Sequence, residues 1–90
     1  PLVIWGAGQK GKKIARLLSK LNIEFKWVCD NHKKIGKHIY DVELEHFSLI
    51  KNLQGPQVIV AVANAKEQQE IIEFFEVLNM KSKQDYFFFC

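Results

Sequence analysis

Apolar and polar positions along this chain fall into blocks whose spacing switches between that of strands and that of helices. Leu2 to Trp5 is a continuous apolar run, the pattern of a central parallel strand covered on both faces. It stops at Gly6 and becomes Gly6-x-Gly8-x-x-Gly11. Beyond the glycines, Ile14, Ala15, Leu17, Leu18 and Leu21 recur at helical spacing, with Lys12, Lys13, Arg16, Ser19 and Lys20 between them. This predicts an amphipathic helix ending near Asn22. Phe25 to Cys29 reads as a second strand, with Asp30 at its carboxyl end.

Asn31 to Lys37 is a polar loop in which Ile35 is the candidate for burial. Ile39 to Leu44 alternates loosely and predicts a short edge strand, its Val42 to Leu44 part counting as the third strand. A short helix is expected from Glu45 to Leu53, carrying Phe47, Leu49 and Ile50. Gln54, Gly55 and Pro56 break the chain, and Val58 to Ala63 is its most strand-like run. Asn64 followed by Glu67 forms a capping box for a helix whose buried stripe is Ile71, Ile72, Phe74, Phe75 and Leu78. Lys81 to Gln84 is a polar connection, and Tyr86 to Phe89 supplies the last strand.

Strands alternating with helices in this way call for a mainly parallel sheet with right-handed crossovers and helices on both faces. The prediction is an α/β, Rossmann-like, three-layer α/β/α domain with strand order 3-2-1-4-5. In that order the first and fourth strands are neighbours whose connections leave in opposite directions, and the ligand crevice of an open α/β sheet lies at such a switch point. Three segments converge there. In the glycine loop, Gly6 makes the tight turn, Gly8 admits a pyrophosphate and Gly11 lets the helix pack closely, so Gly6, Ala7, Gly8, Gln9, Lys10 and Gly11 are candidate phosphate-binding positions. Asp30 stands about twenty residues further on, where such folds place the acid that hydrogen-bonds a ribose hydroxyl, with Asn31 beside it and Lys33 and Lys34 within reach of a phosphate. Ala63 and Asn64 complete the set, and the small Ala61, Ala63 and Ala65 let a ligand lie against the backbone.

Composition narrows the function. Ninety residues make one domain spanning 1–90, too short for a cofactor domain plus a substrate domain. Pro1 precedes a strand without an initiator Met, so the chain reads as a piece of a longer polypeptide. The net charge of +3 suits a phosphate-bearing small ligand but lacks the basic and aromatic interleaving of a nucleic-acid groove. No apolar stretch reaches membrane-spanning length and no signal peptide is visible, which makes a cytoplasmic location the default. Cys29 in a strand and Cys90 at the end predict no disulfide.

Each candidate has a plainer reading beside it. Lys10, Lys12 and Lys13 sit at the positive end of the first helix, where a bound phosphate makes them favourable, or they point into water; Lys10 is the lysine expected to touch the ligand. An acid such as Asp30 can also simply cap a turn. Cys29 with His32, His38 and His46 lacks a closely spaced ligand pair, so no metal is expected. No catalytic constellation is visible either: there is no Ser-His-Asp or Cys-His pattern, no Tyr-x-x-x-Lys pair and no Asp-x-Asp motif.

Gly6 to Lys13, Cys29 to Lys37 and Val60 to Asn64 together resemble the small Rossmann-like domain appended to bacterial family 2 glycosyltransferases. They are also similar to the nucleotide-sugar-binding N-terminal domain of bacterial sugar acyltransferases. The Asp-x-x-x-Lys-Ile-Gly segment, Asp30 to Gly36, is the more specific part. The resemblance implies a uridine-type nucleotide sugar as ligand and a role in surface-polysaccharide or glycoconjugate synthesis, beside a catalytic domain of the same chain. Ala63-Asn64 replaces the Gly-Asn pair such domains often carry, and nothing corresponds to the acyltransferase repeat domain, so acyl transfer is not implied. The expected function is a non-catalytic nucleotide- or nucleotide-sugar-binding accessory domain. Alternatives are an NAD(P)-binding domain of an oxidoreductase, which the glycines and Asp30 explain equally well, and an interaction module without a ligand. Use of S-adenosylmethionine ranks below these.

Overall fold

The apolar runs feed two layers at once because successive side chains of a strand point to opposite faces. A computed structural model describes residues 1–89; Cys90, and with it the expectation that it forms no disulfide, lies outside them. In chain order the elements are β1 (Leu2–Trp5), α1 (Gln9–Lys20), β2 (Lys26–Cys29), β3 (His38–Ile39), β4 (Val42–His46), a 3-10 helix (Phe47–Asn52), β5 (Gln57–Val60), α2 (Ala65–Val77) and β6 (Tyr86–Phe88). The sheet order is β3-β4-β2-β1-β5-β6. All neighbours are parallel except β3, which pairs antiparallel with β4. The predicted order is therefore present as β4-β2-β1-β5-β6, with β3 added outside it.

Ile4, Trp27, Cys29 and Leu44 pack toward α1, against Ala15 and Leu18. Val3, Trp5, Val28, Val58 and Val60 pack the other way, against Ile50 of the 3-10 helix and Ile71 and Phe75 of α2. Both helices end alike. Asn22 and Asn79 take left-handed φ of 57° and 59°. The next amides, Ile23 and Met80, reach back to the Leu18 and Phe75 carbonyls at 2.9 and 3.0 Å. These are Schellman closures with Asn in the position Gly usually takes.

Four boundaries differ from the sequence expectation. The single edge strand over Ile39–Leu44 is a hairpin: Tyr40 and Asp41 both have positive φ, 53° and 62°, and turn β3 onto β4 so that Ile39 faces Val42. The helix expected from Glu45 starts later, because Glu45 and His46 extend β4 beside Val28 and Cys29. It is then a 3-10 helix, whose Ser48 amide donates to His46 Nδ1 at 3.2 Å. The strand expected to run to Ala63 ends at Val60. Ala61 donates one more bond to the Trp5 carbonyl, 2.8 Å, and the chain then leaves the sheet at the carboxyl end of β5. The last strand likewise stops at Phe88, although the Phe89 amide still donates to Val60. Among the described residues, no helix is long and apolar enough to cross a membrane.

Candidate functional site

The glycine loop is held by its carbonyls. Gly6 donates to the Val28 carbonyl at 2.9 Å and takes φ +128°, and a Cβ there would lie 2.7 Å from the Ala61 carbonyl oxygen. Only glycine meets both conditions. The Gly6 carbonyl accepts from Trp27 Nε1 at 2.7 Å in the buried interior. The Ala7 carbonyl accepts from Lys34 Nζ at 2.8 Å, and the Gly8 carbonyl from the Lys12 amide at 3.0 Å. No described peptide bond is cis. In a trans peptide the C=O and the following N–H point in opposite directions, so the amides of Ala7, Gly8 and Gln9 are turned away from these three partners.

α1 begins without the usual complements of a helix dipole. Gly8 is its N-cap in extended conformation, no side chain caps it and no acid lies in its first turn. α2 is the contrast: Asn64 Oδ1 accepts from the Glu67 amide at 3.0 Å, and Glu67 supplies the acid. The free amides at the start of α1 are thus the ones left for an anion.

Gly6, Ala7 and Gly8 line a cleft of about 1010 Å³ together with Asp30, Asn31, Lys33, Ala63 and Asn64. It opens at the carboxyl ends of β1, β2 and β5, at the β1/β5 switch point. Gln9, Lys10 and Gly11 are not among its lining residues. Gly11 is buried, and a methyl there would overlap the Gly6 carbonyl oxygen. Within the β2–β3 loop, Asn31 Oδ1 accepts from the Lys33 amide at 2.9 Å and shapes the turn.

Sequence reasoning named Lys33 and Lys34 alike and missed three other contributors. Lys34 is half-buried and tied to the glycine loop, whereas Lys33 is exposed. His46 Nε2 lies 3.9 Å from Asp30 Oδ1, with Nδ1 turned to the Ser48 amide and hydroxyl. Register would have found it, since His46 pairs with Cys29 once β4 is read to its true end. Trp5, Phe47 and Phe74 form an aromatic floor, Trp5 stacked on Phe47 at 4.9 Å and edge-on to Phe74 at 5.5 Å. Glu67, Glu70 and Glu73 of α2 add acidic side chains to the lining that also holds Lys33 and Lys34. Among the described residues, no group of three or more His, Cys, Asp or Glu side chains could hold a metal ion.

Trp27→Phe tests the loop's support. It keeps the ring in the core but leaves the Gly6 carbonyl without its buried donor, a loss of about 1–3 kcal/mol. Thermal unfolding should fall by about 4–8 °C for each kcal/mol, and an unchanged midpoint would show that the bond contributes nothing.

No protein-family model and no curated protein sequence matches the chain. Two solved structures resemble its fold. One is a UDP-D-quinovosamine 4-dehydrogenase from Vibrio fischeri, with a TM-score of 0.72 and 23% identity over 89% of this chain and 72% of that one. The other is a Rex-family repressor, with a TM-score of 0.73 and 20% identity over 99% of this chain and 44% of that one. The chain thus spans less than half of the repressor's length. What is shared at these identities is the fold, a Rossmann-like α/β domain, the architecture that in general carries dinucleotides at its switch point.

Proposed function

We propose that this domain binds a dinucleotide of the NAD type, with the diphosphate on the Gly6–Gly11 loop and the adenosine ribose on Asp30. The observation that carries the reading is the joint placement of Gly8, the N-cap of the uncapped α1, and Asp30 along one cleft at the switch point. Its volume of about 1010 Å³ is at the upper end of small-molecule sites, which run to roughly 1,000 Å³. That leaves room beyond one nucleotide, toward the aromatic floor. A carboxylate at the ribose favours a 2′-hydroxyl and repels a 2′-phosphate, so NAD is preferred to NADP. The reacting groups in this reading come from a neighbouring domain of the same polypeptide, and the domain serves as the cofactor module of an oxidoreductase.

A uridine-type nucleotide sugar is the second reading, since diphosphate and ribose would use the same contacts. It is favoured by the Asp30 to Gly36 segment and by the dehydrogenase's name, which carries a UDP-sugar as well as a dehydrogenation. In that case the domain is an accessory to a glycosyltransferase-like enzyme. NMR titration of the chain with NAD, NADP and a UDP-sugar separates the two. Saturable shifts at Gly6 to Gly8 and Asp30 with NAD support the dinucleotide. The same shifts with the UDP-sugar alone replace it by the second reading, and silence with all three leaves an interaction module. Asp30→Ala should weaken NAD about tenfold or more, the size of a hydrogen bond to a charged group. Binding of inorganic pyrophosphate should be left intact, and equal losses for both would remove the ribose role.

A further inference from the structure

We propose that Lys34 is a positioning residue for the diphosphate: its ammonium holds the Ala7 carbonyl so that the Gly8 N–H is presented to the cleft. The inference rests on the nucleotide reading above. Lys34 and Ala7 are 27 residues apart and come from different loops, joined at 2.8 Å in a partly buried setting. Because the peptide is trans, fixing the carbonyl fixes the opposed Gly8 amide. A charged donor does more than a neutral one. It makes a stronger, shorter bond, and it polarises the peptide so that the N–H beyond becomes a better donor to an anion.

The base of Lys34 is itself rigid. Its amide donates to the Asn31 carbonyl at 2.9 Å and its carbonyl accepts from Lys37 at 3.0 Å. Two bonds tie the loop to β4: the Gly36 amide donates to the Leu44 carbonyl at 2.7 Å, and the Leu44 amide donates to the Lys37 carbonyl at 2.8 Å. Ile35 packs on the core cluster under α1. The same latch joins the loop that carries Asp30 to the glycine loop, so ribose and diphosphate contacts share one support. Lys10, the glycine-loop lysine that sequence reasoning favoured for the phosphate, is exposed and does not line the cleft.

The test compares Lys34→Gln, Lys34→Arg and Lys37→Gln in the full chain, by calorimetric titration with ADP and NMR titration with adenosine, and with UDP and uridine in parallel. Lys37 is exposed in the same loop, so its variant removes an equal charge without touching the latch. Lys34→Gln should weaken the diphosphate about tenfold relative to Lys37→Gln. It should leave the nucleoside unchanged and move the Gly8 amide resonance in the ligand-free protein, and Lys34→Arg should recover part of the affinity. Equal diphosphate affinities in the two Gln variants would overturn the assignment while leaving the nucleotide reading standing. Equal losses for diphosphate and nucleoside would make Lys34 a general structural residue and also overturn it. A wild-type chain that binds none of the four ligands removes both.

Discussion

Gly11→Ala lowers the stability of this domain by about 2 kcal/mol or more, although alanine is the better helix former. Two effects oppose each other at this position. Replacing a glycine within a helix, here in the first turn of α1, contributes up to about 1 kcal/mol through backbone entropy. Against that, the added methyl overlaps the Gly6 carbonyl oxygen, and the atoms it meets are backbone, which cannot swing aside. Overpacking costs about 1–3 kcal/mol and occasionally more. A clash with backbone, relieved only by moving α1 away from β1, lies at or above the top of that range, which leaves the net loss at about 2 kcal/mol or more. The Gly6 carbonyl is also the acceptor of Trp27 Nε1, so the displacement strains a second buried bond. The expected result is a fall in melting temperature of roughly 8–16 °C, accompanied by a change in tryptophan fluorescence. A midpoint equal to or above that of the wild type would show that the loop and helix yield freely.

Gly8→Val has the opposite signature, abolishing ligand binding while the fold persists. A Cβ at Gly8 meets no atom within 4 Å, and its φ of −83° and ψ of −163° are extended values that suit a β-branched residue. The cost to the fold is confined to a poorer N-cap, about 1 kcal/mol. The branched side chain instead stands in the cleft where a diphosphate would approach the amides. Loss of two bonds to a charged group, at roughly 1.5–3 kcal/mol each, corresponds to at least about a 100-fold weaker NAD affinity. Circular dichroism and thermal melting should report a folded chain, and titration should report no saturable binding. Wild-type affinity in this variant would remove the glycine loop from the phosphate site.

Taken together, the two variants divide a three-glycine motif by physical role. Gly6 and Gly11 are required by contacts the protein makes with itself, at Ala61 and at the loop carbonyl. Gly8 is required by nothing in the described structure. A glycine kept at an N-cap, where Ser, Thr, Asn or Asp would cap the helix better, is consistent with space reserved for a ligand. α2, which closes its own N-terminus with Asn64 and Glu67, shows the alternative in the same chain.

Local chemistry made much of this legible from residue order alone. The apolar run into Gly6, the helical spacing from Ile14 to Leu21, Asp30 at the end of the second strand and the Asn64 cap each depend on neighbours close in sequence, and each stands where the pattern put it. The sheet order followed too, because right-handed crossovers leave few topologies for such an alternation. Tertiary structure decided the rest. Whether Glu45 and His46 continue a strand or begin a helix depends on the pairing edge that β2 offers. Where β5 ends depends on the Ala61 carbonyl passing beneath Gly6. Which of several lysines serves the glycine loop was beyond pattern reading, because Lys33 and Lys34 differ by one position in sequence. Only the packing of Ile35 and the bonds between the loop and β4 bring Lys34, 27 residues from Ala7, onto its carbonyl.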